Sequence, residues 1–337
     1  MNRRELDAFV AHYGLSRSAV EVALELANAR PSRTDLAWFG VRLLKLAGVL
    51  SLAAGLVFFI AANWEALAVL GRFVLVEVLL VVGVGVALWK PPPSALGRYA
   101  LLLAFIATGA LLALFGQTYQ TGADVYELFL TWTLLGVLFA VAGQWSVTWA
   151  AWVLVLNVAL WLYCGWQPQT GWLWLLFGAW NLGLAALLLG PMLVNVVLWL
   201  ASGVFQNGRF AALAPPWLGR FALACAVLFG TWAGFLAIVW GADLGSDALN
   251  ALTLIVLLGL LTAVAAYTLR QRRDVFPLAL IGGSLIVLST TALAKYLDFE
   301  DVGVFFVLAL WLIASSTLTG HVLLKFVRAW RAEAAQQ

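Results

Sequence analysis

The sequence predicts an all-α fold, a polytopic transmembrane helical bundle of about ten spans. Both termini are expected on the cytoplasmic side, with a short helical hairpin ahead of the first span. Three observations carry that expectation. Hydrophobic residues make up 64% of the 337-residue chain and charged residues only 10%, with a mean hydropathy of +0.99. A water-soluble chain of this size needs more charge to cover its surface, so most of this surface faces hydrocarbon. The apolar residues gather in runs close to the roughly 20 residues that cross a core of about 30 Å. Finally, Lys and Arg fall on alternate sides of those runs.

Residues 1–36 have no apolar run beside their basic residues and no small-residue cleavage site after one, so they do not read as a signal peptide. Two short amphipathic helices fit them better. Asn2 with Glu5 and Ser18 with Glu21 have capping-box spacing, and Gly14 separates the pairs. Leu6, Phe9 and Val10 form one apolar stripe, and Val20, Leu24 and Ala27 another. Such a cytoplasmic hairpin either packs on the inner membrane surface, drawn there by its arginines, or recruits a cytoplasmic partner.

The transmembrane domain is expected over residues 37–324. Spans read near 43–62, 70–89, 99–115, 125–143, 147–163, 171–190, 218–240, 249–269, 276–294 and 303–321. Backbone polar groups in lipid must be paired within each segment, which makes each span a helix. The run 192–205 is apolar but short. Counting it as an additional span would carry Arg270, Arg272 and Arg273 to the outer side, so it reads as re-entrant, interfacial or a continuation of the sixth helix. Residues 325–337 form a basic cytoplasmic tail. With the N-terminus inside, all of the 19 Lys and Arg residues except Arg72 and Lys295 lie on the inner side. That pattern places the chain in a bacterial inner membrane with both ends in the cytoplasm.

Of the 18 Trp residues, Trp38, Trp64, Trp89, Trp145, Trp166, Trp217, Trp240 and Trp330 fall where spans meet the interface, as an aromatic belt would have them. Trp152, Trp161, Trp174 and Trp180 lie deeper, between helices. Cys164 and Cys225 lie at different depths and do not suit a disulfide, and the two histidines, His12 and His321, are far apart. No metal-ligand spacing, phosphate-cradling glycine loop or nucleophile elbow appears. No metal, cofactor or nucleic-acid partner is therefore expected, and membrane lipids are the partners composition does imply.

The outer loops carry Glu65, Asp124, Glu127, Asp243, Asp247, Asp298, Glu300 and Asp301 against Arg72 and Lys295. Such a surface concentrates cations at low salt, although acidic loops also satisfy the orientation rule simply by lacking Lys and Arg. Two segments stand out. Asn63, Trp64 and Glu65 end the first span. Between spans three and four, Gln117, Tyr119, Gln120, Asp124, Tyr126 and Glu127 gather amides, phenols and carboxylates in one turn, and Asp124, Glu127 and Thr131 share a helix face. This cluster suits a cation, a sugar or an amine. Alternatively, Asp124 is an N-cap and Glu127 its capping-box partner, which leaves Gln117, Tyr119 and Gln120 unexplained. Within the membrane, Glu77 is the ionisable residue that stands out, about a third of the way in from the outer face. Either it pairs with Arg72 or Lys295 or it couples protons. Asn157 and Asn181 suit hydrogen bonding between helices. The Ser289-Thr290-Thr291 and Ser315-Ser316-Thr317 clusters either line a path or bond their own backbones.

The Ala-Asn-Trp-Glu end of span one, Gly116-Gln-Thr-Tyr-Gln120, and Asp124-Val-Tyr-Glu-Leu-Phe with Trp132 resemble a bacterial family of predicted membrane proteins, domain of unknown function 2157. The resemblance extends over roughly residues 1–190. It implies a bacterial inner-membrane protein with a cytoplasmic helical region before the first span. No activity comes with it and no catalytic residue. Two function classes stand. One is a carrier or flippase-like protein for an uncharged, cationic or amphiphilic small molecule, since ten spans divide into five plus five and Gly282-Gly283 permits a broken helix. It requires a cavity reaching the midplane, lined by Glu77, Asn157 or Asn181. The other is a non-enzymatic envelope assembly or scaffold protein that docks another envelope protein through its outer loops. An intramembrane enzyme using Asp124, Glu127 and Glu65 ranks below both.

Overall fold

The computed structural model describes residues 12–14, 16, 18–20, 33–120, 122–166, 183–206, 215–239, 247–297 and 303–335, and every regular element among them is helical. The stripes and most of the caps of the expected N-terminal hairpin, and most of the expected span at 171–190 including Asn181, lie outside the described residues. In the part of the hairpin that is described, Ser16 Oγ accepts from the Ala19 amide at 3.2 Å. Ser16 therefore stands where Ser18 was expected to cap.

Among the described residues, ten helices are long and apolar enough to cross a membrane. They are α1 (Arg33–Ala62), α2 (Val69–Trp89), α3 (Ala95–Tyr119), α4 (Val125–Gly143) and α5 (Ser146–Trp166). They continue with α6 (Leu189–Gln206, entered through a single turn at Leu184–Leu187), α7 (Pro216–Val239), α8 (Asp247–Tyr267), α9 (Val275–Lys295) and α10 (Gly303–Ala335). The class expectation and the number of spans hold. In this region the described residues give a membrane-length helix over Ala185–Phe205, so residues 192–205 belong to one continuous helix, as the third of the readings of this run has it. The physical reason is continuity: Leu184 to Phe205 contains no charge, so a window placed here is as apolar as one placed earlier.

Local chemistry sets several boundaries. Pro91, Pro92 and Pro93 cannot continue α2, and Ser94 starts α3 with Oγ accepting from the Gly97 amide at 3.1 Å and donating to the Lys90 carbonyl at 2.7 Å. Asp274 caps α9 by accepting from the Phe276 amide at 3.1 Å. A π-helical turn, Thr268–Arg272, ends α8. At 30 and 33 residues, α1 and α10 measure about 45–50 Å, more than a bilayer core requires, so each extends beyond it.

Two helices are central. In α3 and α7 56% of the membrane-length window is buried, against 11% in α1 and α2 and 6% in α10. Helices α1, α2 and α4 pack around α3, and α6, α8 and α9 around α7; α5 joins the halves, and α10 leans on α9. Small residues permit the close approach that packing in lipid depends on. Gly109 of α3 lies against the Trp132 indole and Gly136 of α4 against the Phe105 ring, so a Cβ at either would overlap aromatic carbon. The Trp132 Nε1 donates to the Phe105 carbonyl at 2.9 Å. Along α7, Ala222, Ala226, Gly230, Ala233 and Ala237 are all buried.

Candidate functional site

The residues singled out at the outer end fall into separate local arrangements. The first is built around Arg72, near the start of α2. Its guanidinium lies over the Trp64 ring, 3.8 Å from the centroid, and donates through Nε to the Leu67 carbonyl at 3.0 Å and through a terminal nitrogen to the Trp64 carbonyl. One side chain thus closes the α1–α2 turn with charge-assisted hydrogen bonds and a cation–π contact. Asn63 Nδ2 donates to the Phe59 carbonyl of its own helix at 2.8 Å, and Glu65 is exposed. Tyr119 reaches this arrangement by packing on Phe73, with ring centroids 6.0 Å apart. Arg72 was one of two cations that could pair with Glu77, but its hydrogen bonds go to the turn.

The second arrangement is at the start of α4. Asp124 has the extended backbone of an N-cap, but its side chain makes no capping hydrogen bond, and the amide of Glu127 bonds to the Asp124 carbonyl at 3.0 Å. The capping box therefore does not form. Instead, Glu127 Oε1 accepts from the Tyr126 hydroxyl at 3.1 Å. Tyr126 is only 2% exposed and meets Tyr163 of α5 edge-on at 5.4 Å, within the core of the second half. Gln117 and Gln120 are exposed, and Gln120 ends α3 in the left-handed region at φ 44°. Trp64 and Tyr119 are brought near one another through α2. Tyr126 and Glu127 face a different neighbour, α5.

Glu77 stands apart from both arrangements. It lies on α2, about 12 Å along the helix from Val69, and it is exposed. It shares a stripe with Leu70, Val74, Val78, Val81 and Gly85, all exposed, while Val76, Gly83 and Ala87 face α3. Among the described residues no hydrogen bond or ion pair engages its carboxylate.

At the level of the midplane the structure holds a polar pair that was only half expected. Asn157 near the middle of α5 and Asn195 near the middle of α6 exchange two amide hydrogen bonds, at 3.1 and 2.7 Å. Each also donates to a carbonyl four residues back, Val153 at 2.8 Å and Pro191 at 2.9 Å. Asn157 is 8% and Asn195 0% exposed. The pair is satisfied and closed, which makes it a junction between the two halves.

On the other end of the bundle, three arginines form structural contacts that sequence alone assigned only to orientation. Arg220 grips Asp274 with Nε and a terminal nitrogen at 3.1 and 3.2 Å, joining α7 to the turn before α9. Arg272 lies over buried Trp199, 4.8 Å from the ring centroid. Arg273 pairs with Glu333 at 2.8 Å and ties the same turn to α10. Among the described residues, no three His, Cys, Asp or Glu side chains gather in a way that could hold a metal ion.

The fold defines the class, a multi-pass helical membrane protein. Residues 7–149 match the model of a family described as Predicted membrane protein (DUF2157), a stretch that runs from the N-terminal region through α4 to the first residues of α5. The match confirms the resemblance read from the Ala-Asn-Trp-Glu and Gly-Gln-Thr-Tyr-Gln segments, over a shorter stretch than the one expected. No curated protein and no solved structure matches the chain.

Proposed function

We propose that this chain is a non-enzymatic assembly protein of the bacterial inner membrane, with both ends in the cytoplasm. On this reading it docks another integral membrane protein through the exposed face of α2. The observation that carries the proposal is Glu77. Ionisable side chains inside a membrane nearly always face a bundle interior or a cavity, or pair with one another. Among the described residues Glu77 does none of these, so a free lipid-facing position would leave a carboxylate, or its protonated form, in hydrocarbon. A helix from a partner removes that penalty. Gly85, on the same stripe, lets a second backbone come close.

Charge complementarity selects the occupant: a transmembrane helix presenting a basic side chain at the depth of Glu77. The chain's own outer cations do not supply it, since Arg72 is held by the α1–α2 turn and Lys295 bonds to the Ile238 carbonyl at 2.6 Å in the other half. A second copy meeting face to face would set Glu77 against Glu77. The carrier reading finds less support, because Asn157 is closed into its pair and Glu77 points away from the bundle.

The test is a photo-crosslinking residue at Val78 or Val81 in living cells. A crosslink to one distinct membrane protein is expected, lost in Glu77→Leu and in Glu77→Lys. Crosslinks to lipid alone, or to a second copy of this chain, would overturn the reading.

A further inference from the structure

At the outer ends of α7, α9 and α10 lies an open groove of about 460 Å³, lined by Phe235, Val239, Val287, Ala294 and Leu312, with Lys295 among its walls. Its volume falls within the range of small-molecule sites. Thr290 and Thr291 also line it, but their hydroxyls donate back to the Ile286 and Val287 carbonyls at 2.7 and 2.9 Å, so the walls offer almost no free hydrogen-bonding group. Beside it Trp311 Nε1 donates to Ser289 Oγ at 3.2 Å and fixes α10 against α9.

Lys295 is the last residue of α9. Its ammonium has three donors and bonds to one carbonyl, that of Ile238, and no carboxylate among the described residues pairs with it. Val287 lies about 12 Å along α9 from Lys295, so the groove runs from the interface through most of one leaflet of a core about 30 Å thick. Tyr296, 86% exposed, follows Lys295 where an aromatic ring suits the headgroup layer.

We propose that this groove binds a membrane phospholipid with an anionic headgroup. The acyl chain lies along Phe235, Val287 and Leu312, and the headgroup phosphate accepts hydrogen bonds from the Lys295 ammonium. A long apolar wall ending in a cation that is incompletely bonded among the described residues matches that molecule and no soluble anion, because a free phosphate would gain nothing from the apolar lining. The site is independent of the Glu77 face, which belongs to the other half of the bundle.

Native mass spectrometry of the full chain, taken from vesicles of phosphatidylcholine mixed with phosphatidylglycerol, tests it. Wild type should retain phosphatidylglycerol in preference to phosphatidylcholine. Lys295→Gln should reduce that preference about fivefold, the factor expected for one basic side chain near an anionic headgroup. Lys295→Arg, which keeps the charge and the bond to Ile238, should preserve it. Ala294→Phe, which fills the groove, should reduce retention of both lipids. Equal retention of the two lipids by wild type, or a preference unchanged in Lys295→Gln, overturns the proposal. So does tight binding of glycerol phosphate without acyl chains.

Discussion

At the level of single residues, polar side chains inside this bundle are legible from their chemistry while their partners are not. Asn157 stands out in an apolar span because an unsatisfied amide in hydrocarbon is costly. Its partner is Asn195, which sequence did not single out, because pairing depends on depth and neighbouring helices and sequence shows neither. Arg72 shows the same limit. Its charge marked it as an exception on the outer side, yet the Trp64 ring and two turn carbonyls hold it. The Asn pair supplies a direct expectation. Asn157→Ala and Asn195→Ala should each destabilise the protein, since each leaves one buried amide short of a partner. The double variant should lose less than the sum of the two. Interhelical hydrogen bonds in membranes couple by about 0.6 kcal/mol on average and about 1.7 at most, so reversible unfolding of the four proteins should return a coupling in that range. A coupling of zero would mean that the two amides do not share a bond.

At the level of elements, nine of the ten expected spans fall on membrane-length helices, with ends displaced by four residues at each end of α3, nine at the start of α1 and twelve at the end of α10. Residues 171–205 form one long stretch without charge, and length alone does not say which 20 of them cross. Asn195 falls in the run 192–205, read as re-entrant, interfacial or a continuation of the sixth helix, so its depth was not legible. The residues of the outer polar turn are divided between two neighbours: Tyr126 packs between helices against Tyr163, and Tyr119 rests on Phe73. Aromatic rings with a polar tip serve packing and binding alike, and sequence does not separate the two. The α3–α4 contact is where this can be tested. Gly109→Leu places a side chain where the Trp132 indole lies, and Gly136→Leu does the same against Phe105. Either should lower stability by about 1–3 kcal/mol or more through overpacking. Gly85→Leu, at a glycine with open space beside it, should leave the stability of the isolated protein within about 0.5 kcal/mol. Unfolding curves in mixed detergent would rank the three, and an equal loss at Gly85 would contradict the packing described.

For the whole molecule, the contacts between helix ends agree with the charge pattern. In the first half, the Tyr99 hydroxyl donates to the Arg42 carbonyl at 3.1 Å and Arg98 reaches the Gln144 carbonyl at 3.4 Å, so the basic residues of α1 and of the start of α3 lie at one end, beside the end of α4. In the second half, Arg220 with Asp274 and Arg273 with Glu333 gather the start of α7, the start of α9 and the distal part of α10. The opposite ends carry Trp64 with Arg72 and Lys295 with Ile238. If Ala185–Phe205 is the one crossing between α5 and α7, the basic ends of both halves face the same compartment, which the positive-inside rule would make the cytoplasm. A further crossing within 167–182 would turn the second half over and place Arg209, Arg220 and the Arg270–Arg273 cluster outside. Three fusions to a reporter active only in the periplasm separate these arrangements. Fusion after Gly122 should be active, and fusions after Gln206 and after Arg273 should both be inactive. Activity after Gln206 and Arg273 together would show an eleventh crossing, and inactivity after Gly122 would invert the first half. The Gln206 fusion decides most, because the charge argument for α7 to α10 rests on the parity of the spans that precede it.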